Sequence, residues 1–128
     1  MRKLLFILVL ASTPAWAEWT CLGHDVVHSY EFCVDLATIH KRGDLVKIWT
    51  LLDYTASKQS PRGRAYLSQK AQHEFDCDGD RSRLIFVSQH SGNMGGGETV
   101  YSDGNPETWK PIPPESVLES IRNVACKR

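Results

Sequence analysis

The residues best able to do chemistry in this chain are its four cysteines, Cys21, Cys33, Cys77 and Cys126, and its histidines, among them His24, His28, His73 and His90. Histidines four apart, as in His24-Asp25-Val26-Val27-His28, suggest zinc. A zinc protease, however, needs HExxH on a helix, and the glutamate is missing. In an extended segment the two rings would stand roughly 13 Å apart, too far to share an ion. No Cys-x-x-Cys pair exists either, so the spacing predicts no metal site. His90-Ser91 puts a base beside a hydroxyl, but no nucleophile elbow surrounds the serine, and neighbours in sequence rarely bring Oγ onto the ring nitrogen. His73 and His90 fall on the two strands of one hairpin, offset by several residues, and read as half-buried sheet residues. Gly92-Asn93-Met94-Gly95-Gly96-Gly97 has the composition of a phosphate cradle, yet such a loop opens a helix and here a strand follows. Asp76-Cys77-Asp78-Gly79-Asp80 has the acids of a calcium loop, but its glycine stands at position four rather than six, and Val87 at twelve replaces the glutamate. These patterns predict no catalytic residue, no metal and no cofactor, and leave a small hydrolase or metal protein as the weakest of the functional readings.

The chain carrying these residues has 128 positions, 41% of them hydrophobic, with 15 Lys+Arg against 15 Asp+Glu. That length predicts one domain, and the charge balance gives no support to a nucleic-acid partner. Arg2 and Lys3, the apolar run Leu-Leu-Phe-Ile-Leu-Val-Leu-Ala, and Ala15-Trp16-Ala17 have the order of a secretory signal peptide over residues 1–17. The apolar run is far shorter than the roughly 20 residues a membrane helix needs. Cleavage after Ala17 leaves 13 Lys+Arg against 15 Asp+Glu in a domain spanning residues 18–128. Glu18 rather than cysteine follows the cut, so no lipid anchor is expected, and the mature chain is expected in the periplasm or released, without stable membrane insertion. In such an oxidising compartment four cysteines read as two disulfides, for which count alone allows three connectivities.

The elements that must position these groups are strands followed by one helix. Residues 45–54 alternate: Val46, Ile48, Thr50, Leu52 and Tyr54 take one face, and Lys47, Trp49, Leu51 and Asp53 the other. Apolar groups on both faces make this a central strand. Residues 56–64, with Ser, Pro and Gly, read as a connecting loop. Residues 66–77 and 83–90 read as a hairpin turning at Asp78-Gly79. This register sets Cys77 against Asp80, Glu74 against Arg83 and Ala71 against Phe86. It gathers Ala71, Phe75, Cys77, Leu84 and Phe86 on an apolar face, and Lys70, Glu74, Arg83, Ile85 and Val87 on the second. Residues 92–97 read as a flexible connection, 98–102 as a short strand, and 19–22 and 30–34 as edge strands. Residues 35–40 read as a helical turn, with Asp35 as N-cap and Gly43 after its end.

Near the C-terminus the period changes. Pro113-Pro114-Glu115 reads as a helix start, and Val117, Leu118, Ile121, Val124 and Ala125 form a stripe about 120° wide that suits a sheet face. Lys127 and Arg128 complement the negative end. Cys126 would point about 140° from the stripe centre in a continuing helix, so it reaches the sheet only from the last turn. Since Cys77 already points to the apolar face, Cys77 pairs with Cys126 and Cys21 with Cys33. The longer loop contributes ~3–4 kcal/mol in the chain-entropy picture.

Several runs resemble the surface-adhesin protein E family: Val46-Lys47-Ile48-Trp49, Leu52-Asp53-Tyr54, Glu74-Phe75-Asp76-Cys77, Arg81-Ser82-Arg83-Leu84 and above all His90-Ser91-Gly92-Asn93-Met94-Gly95-Gly96-Gly97-Glu98. Val100-Tyr101-Ser102, Trp109, Pro111-Ile112-Pro113-Pro114 and Ala125-Cys126 continue the likeness, which spans about residues 19–126. The resemblance implies an α+β, mainly β fold: an antiparallel sheet of about six strands, with a C-terminal helix on its concave face tethered through the cysteines matching Cys77 and Cys126. Cys21 and Cys33 look like a pair beyond the family's usual two. The resemblance also implies a non-enzymatic, adhesin-like protein of the bacterial cell envelope. Its expected partners are extracellular matrix or serum proteins, or a second copy in a dimer. The alternative is a periplasmic protein that maintains or supports the envelope. The residues expected to leave apolar area open on the second sheet face are Trp49, Ile85 and Val87.

Overall fold

The computed structural model describes residues 18–127, so the leader expected over residues 1–17 lies outside the described residues. The chain forms β1 (Thr20–Asp25), β2 (Tyr30–Arg42), β3 (Leu45–Gln59), β4 (Ala65–Asp76), β5 (Arg81–His90), β6 (Thr99–Asp103), β7 (Lys110–Pro111) and α1 (Val117–Cys126). The strands make one antiparallel sheet in chain order β1 to β6, a meander. The short β7 pairs with the start of β5, Arg81 to Pro111 and Ser82 to Lys110, while β6 pairs with its end. Among the described residues the fold is therefore mainly β, with one α-helix and two disulfides.

β3 is central, as its two apolar faces require, but it runs on to Gln59 across a register shift between Asp53 and Lys58. The loop expected over residues 56–64 shrinks accordingly. β2 is also interior, not an edge, because β1 covers its outer side. The helical turn expected at residues 35–40 is instead a bulge within β2, between the pairs Asp35–Trp49 and His40–Lys47. Asp35 does act locally as a cap-like acceptor: its Oδ1 takes the Ala37 N–H at 3.1 Å. The extra residues stay tied to the sheet because Thr38 Oγ1 accepts the Trp49 N–H at 3.0 Å. Gly43, with φ of +61°, serves the β2–β3 hairpin rather than a helix end. The β4–β5 hairpin closes with Asp76 against Arg81 and keeps Glu74 against Arg83. Its left-handed residue is Asp80, not Gly79, and Asp76 secures the turn by accepting the Gly79 N–H and the Arg81 Nε–H, each at 3.0 Å.

One inserted residue changes the faces of β5. His73 pairs with Leu84 but Gln72 with Phe86, so Ile85 is extra. Beyond this bulge the parity flips, as it must when a strand gains one residue. Ala71 therefore opposes Val87 instead of Phe86. Val87 moves to the helix-bearing face, and Phe86 crosses to the face of Trp49, whose ring it meets edge-on at 5.6 Å.

α1 begins at Val117, later than Pro113 suggests. Ser116 is its N-cap: Ser116 Oγ accepts the Glu119 N–H at 3.1 Å and donates to the Pro113 carbonyl at 2.6 Å. Ile121 and Ala125 of the apolar stripe join Val34, Val46, Ile48 and Phe75 in the buried core. Cys126 lies in the last turn, with Lys127 closing the helix in the left-handed conformation. It is bonded to Cys77. Arg122 makes an ion pair with Asp80 of the β4–β5 turn, a second link between helix and hairpin.

Candidate functional site

The strands that carry α1 are much longer than the helix. Ten residues of helix span about 15 Å, whereas the strands of 12 to 15 residues span roughly 40–50 Å. The helix therefore covers one end of its sheet face. Beyond it the same face forms an open groove of about 950 Å³. Tyr30 and Phe32 of β2, Thr50 and Leu52 of β3, Ala71 of β4 and Leu84 of β5 make its floor. Residues 113–121 form one wall and the β1–β2 hairpin the other.

Three features give this groove its chemistry. Tyr30 lines the groove and begins a run of edge-to-face contacts to Tyr54 and on to Tyr66, with centroids 5.6 and 5.8 Å apart, while Lys58 Nζ stands 5.5 Å over the Tyr54 ring. Burial, reinforced by the Asp25 carboxylate, pushes the Tyr30 hydroxyl up to about 12. Burial, reinforced by Tyr66 and Tyr30, does the same for Tyr54. These phenols stay neutral and act as apolar surfaces with a polar tip. Secondly, Gln69 lines the groove and accepts the Gln89 side-chain N–H at 2.9 Å. Gln89 itself lies behind Gln69, its Oε1 buried with no hydrogen-bond partner among the described residues. Thirdly, two of the walls carry acids, while the lining's Lys110 and Arg83 are paired with Glu107 and Glu74. Glu115 and Glu119 line the helix side, and Asp25 the hairpin side, where hydrogen bonds from the His28 side chain and N–H hold its carboxyl below the usual range. His73 also lines the groove; burial lowers its pKa to about 4, so the ring is neutral near pH 7.

The opposite face is better closed than its sequence pattern suggests. Leu51, flanked by Cys33 and Lys70, is fully buried. The segment 92–97 is not a slack connection: it makes a 3₁₀ turn at Asn93–Gly95 that folds onto the sheet. Asn93 Nδ2 donates to Asp53 Oδ1 at 3.0 Å and to the Tyr54 carbonyl at 2.9 Å, and the Met94 N–H reaches Asp53 Oδ1 at 2.8 Å. Gly95 sits at φ of +75°, where a side chain would strain the backbone and displace the end of Lys70. These amides are committed to the protein's own sheet, so the loop has the job of a strap rather than of a phosphate cradle.

The histidine pairs are separated by the sheet register. His90 Nε2 lies 2.8 Å from Ser88 Oγ, and its Nδ1 lies 3.5 Å from Thr99 Oγ1, where a catalytic histidine would need a carboxylate. Ser91 Oγ accepts the Glu98 N–H at 2.9 Å instead of meeting the ring. His28 closes the β1–β2 turn on Asp25, Nδ1 to Oδ2 3.0 Å, and His24 faces Glu31 across the strands.

Of the three surface residues singled out from sequence, only Trp49 keeps the face expected for it. Val87 lies on the helix-bearing face and Ile85 in the bulge, so the three do not form one patch. The groove residues escaped the sequence pattern. A signal was present, since an alternating strand this long outreaches a ten-residue helix, but the sequence reading had Tyr30 and Phe32 in a short edge strand.

Residues 19–127 match the model of the surface-adhesin protein E family. No curated protein matches by sequence. Solved structures of Haemophilus influenzae protein E share the fold. One crystal form is 13% identical with a TM-score of 0.62, covering 87% of this chain and 97% of that one. A selenomethionine form is 12% identical with a TM-score of 0.64, covering 84% and 85%. Protein E from a non-typeable strain is 13% identical with a TM-score of 0.60, covering 86% and 84%. The chain belongs to the surface-adhesin protein E family.

Proposed function

We propose that this member of the family is an exported, non-enzymatic binding module of the bacterial cell envelope, and that the open groove beside α1 is where it holds a protein partner. The observation that carries this reading is the half-covered sheet face: an apolar floor of Phe32, Leu52, Ala71 and Leu84, with Tyr30 beside it and Asp25, Glu115 and Glu119 on two walls. Such a surface suits a segment of protein that presents apolar side chains flanked by lysine or arginine. Family membership supports a partner among extracellular matrix or serum proteins. Among the described residues no helix is long and apolar enough to cross a membrane. Membership of a surface-adhesin family supports the non-enzymatic reading.

The test is surface plasmon resonance of the purified protein against a panel of matrix and serum proteins, with Leu52→Arg as the groove variant. Leu52 is only half-buried, so the arginine places a like charge where a basic ligand would lie without emptying the core. The expected result is micromolar binding that weakens about tenfold or more in the variant, the factor that 1.4 kcal/mol represents. Binding that ignores Leu52→Arg removes the groove from the account, and no binding to any member of the panel removes the adhesin role.

A further inference from the structure

The second disulfide stands in a setting that packing does not explain. Cys21 and Cys33 are directly opposed on β1 and β2, with Cα atoms 3.8 Å apart. Glu31 precedes Cys33 by two residues along β2 on the same face, and its Oε1 lies 3.7 Å from Cys33 Sγ. His24 pairs with Glu31 across the strands, Nε2 to Oε2 3.5 Å. In a regular strand Cys21 and His24, three apart, would point to opposite faces. The register shift between Cys21 and Gly23 inserts one residue into β1 and brings them to the same side. Cys21 and Cys33 sulfurs and a Glu31 oxygen all lie within 4.8 Å of one another.

We propose that opening the Cys21–Cys33 bond turns this corner into a closed four-ligand site for a zinc-like divalent cation, held by both sulfurs, a Glu31 oxygen and His24 Nε2. Ligand atoms around tetrahedral zinc, with bonds of about 2.0–2.3 Å, stand roughly 3.3–3.8 Å apart. Cys33 Sγ and Glu31 Oε1, 3.7 Å apart, already have that spacing; His24 Nε2 lies 3.5 Å from the other Glu31 oxygen and must turn toward the ion, and the bonded sulfurs must separate. In the oxidised state the sulfurs are committed to each other. A dithiol reductant of the thiol–disulfide exchange class supplies the two electrons. Its thiolate attacks a sulfur of the pair, the S–S bond breaks, and the mixed disulfide resolves as the reductant closes its own disulfide, leaving two cysteine thiols. Cation binding then releases both thiol protons. Two thiolates and one carboxylate leave a 2+ ion with a net charge of −1. Cys21 is solvent-exposed while Cys33 is fully buried, so the reductant has a sulfur to reach. The His24 ring, 73% exposed, is free to swing onto the ion.

The experiment titrates Co²⁺, and then Zn²⁺, into the purified protein before and after anaerobic reduction with a phosphine. Circular dichroism follows the fold, and alkylation with mass mapping identifies the open cysteines. The reduced protein should take one equivalent of Co²⁺, with the visible bands of tetrahedral cobalt and a thiolate charge-transfer band that Zn²⁺ bleaches; the oxidised protein should show neither. His24→Ala and Glu31→Gln, both at accessible positions, should each weaken Zn²⁺ binding by more than the roughly tenfold that even an outer-shell partner is worth. The proposal fails if the reduced, folded protein gives no charge-transfer band, or if the band persists in Cys21→Ser. It fails equally if both ligand variants bind as the parent does, if the oxidised protein binds as well as the reduced, or if reduction unfolds the chain and Zn²⁺ does not restore it.

Discussion

His73 lies on the helix-bearing face of β4, its ring stacked on Phe75 with centroids 6.0 Å apart and its backbone paired with Ile48 and Leu84. Burial lowers its pKa to about 4, against 6.5 in the unfolded chain. The unfolded state therefore takes up a proton first as pH falls. The stability of the neutral, half-buried ring is fully present above pH 6.5 and is lost progressively down to pH 4. His90, also lowered by burial and then by Lys70, acts in the same direction. Urea titrations at pH 7 and pH 5 should show this loss, and His73→Leu should flatten it; an unchanged pH slope in that variant would mean the ring is already solvated. Glu74 shows the other way to keep an ionisable group inside. Its carboxylate is buried but accepts Arg83 Nη2 at 2.8 Å, and Arg83 in turn lies 4.8 Å over the Trp109 ring. The Glu74–Arg83 opposition was legible in the sequence because only two turn-proximal strands and their local register were needed. The Trp109 contact was not, since it comes from a segment that β7 brings back to the edge of β5.

At the scale of elements, α1 depends on its cap. Ser116 and Glu119 have the spacing of a capping box, and Ser116 Oγ satisfies the Glu119 N–H that the first turn leaves open. Ser116→Ala should cost about 1 kcal/mol in chemical denaturation, whereas Ser116→Asp should retain most of the stability because its carboxylate can accept the same bond and favours the helix N-terminus. Equal losses in the two variants would show that the Ser116 hydroxyl's bond to the Pro113 carbonyl, not the cap, is what matters. The strands show where local reading stops. Alternation assigned the faces of β3 correctly from Leu45 to Tyr54, and the hairpin register held from Asp76 to His73. Past Ile85 the assignments of Phe86 and Val87 exchange, because one unpaired residue inverts every side chain after it. The bulge in β2 misled in a different way: Asp35 carries the side chain of an N-cap, and its carboxylate does accept a nearby N–H, but the following residues stay in the sheet through Thr38 and Trp49.

For the whole molecule, the Cys77–Cys126 bond closes a sequence separation of 49 residues and fixes α1 to one end of the sheet. Replacing both cysteines by alanine should cost ~3–4 kcal/mol in the chain-entropy limit and raise hydrogen exchange in α1 before the central strands; uniform exchange through helix and sheet would mean that the tether holds the entire fold rather than the helix. The sequence by itself determined the antiparallel, mainly β class, the central place of β3, the amphipathic C-terminal helix and, through the runs around Cys77 and His90, the family. All of these depend on patterns within one or two neighbouring segments. Only the tertiary structure decided which surface stays open and which side chains meet there. That outcome depends on the helix being shorter than the strands beneath it, and on single inserted residues at Leu22 and Ile85 that exist only relative to a partner strand. The pleat has a period of two, so an insertion that leaves composition and local alternation almost untouched sends a residue to the opposite side of the sheet.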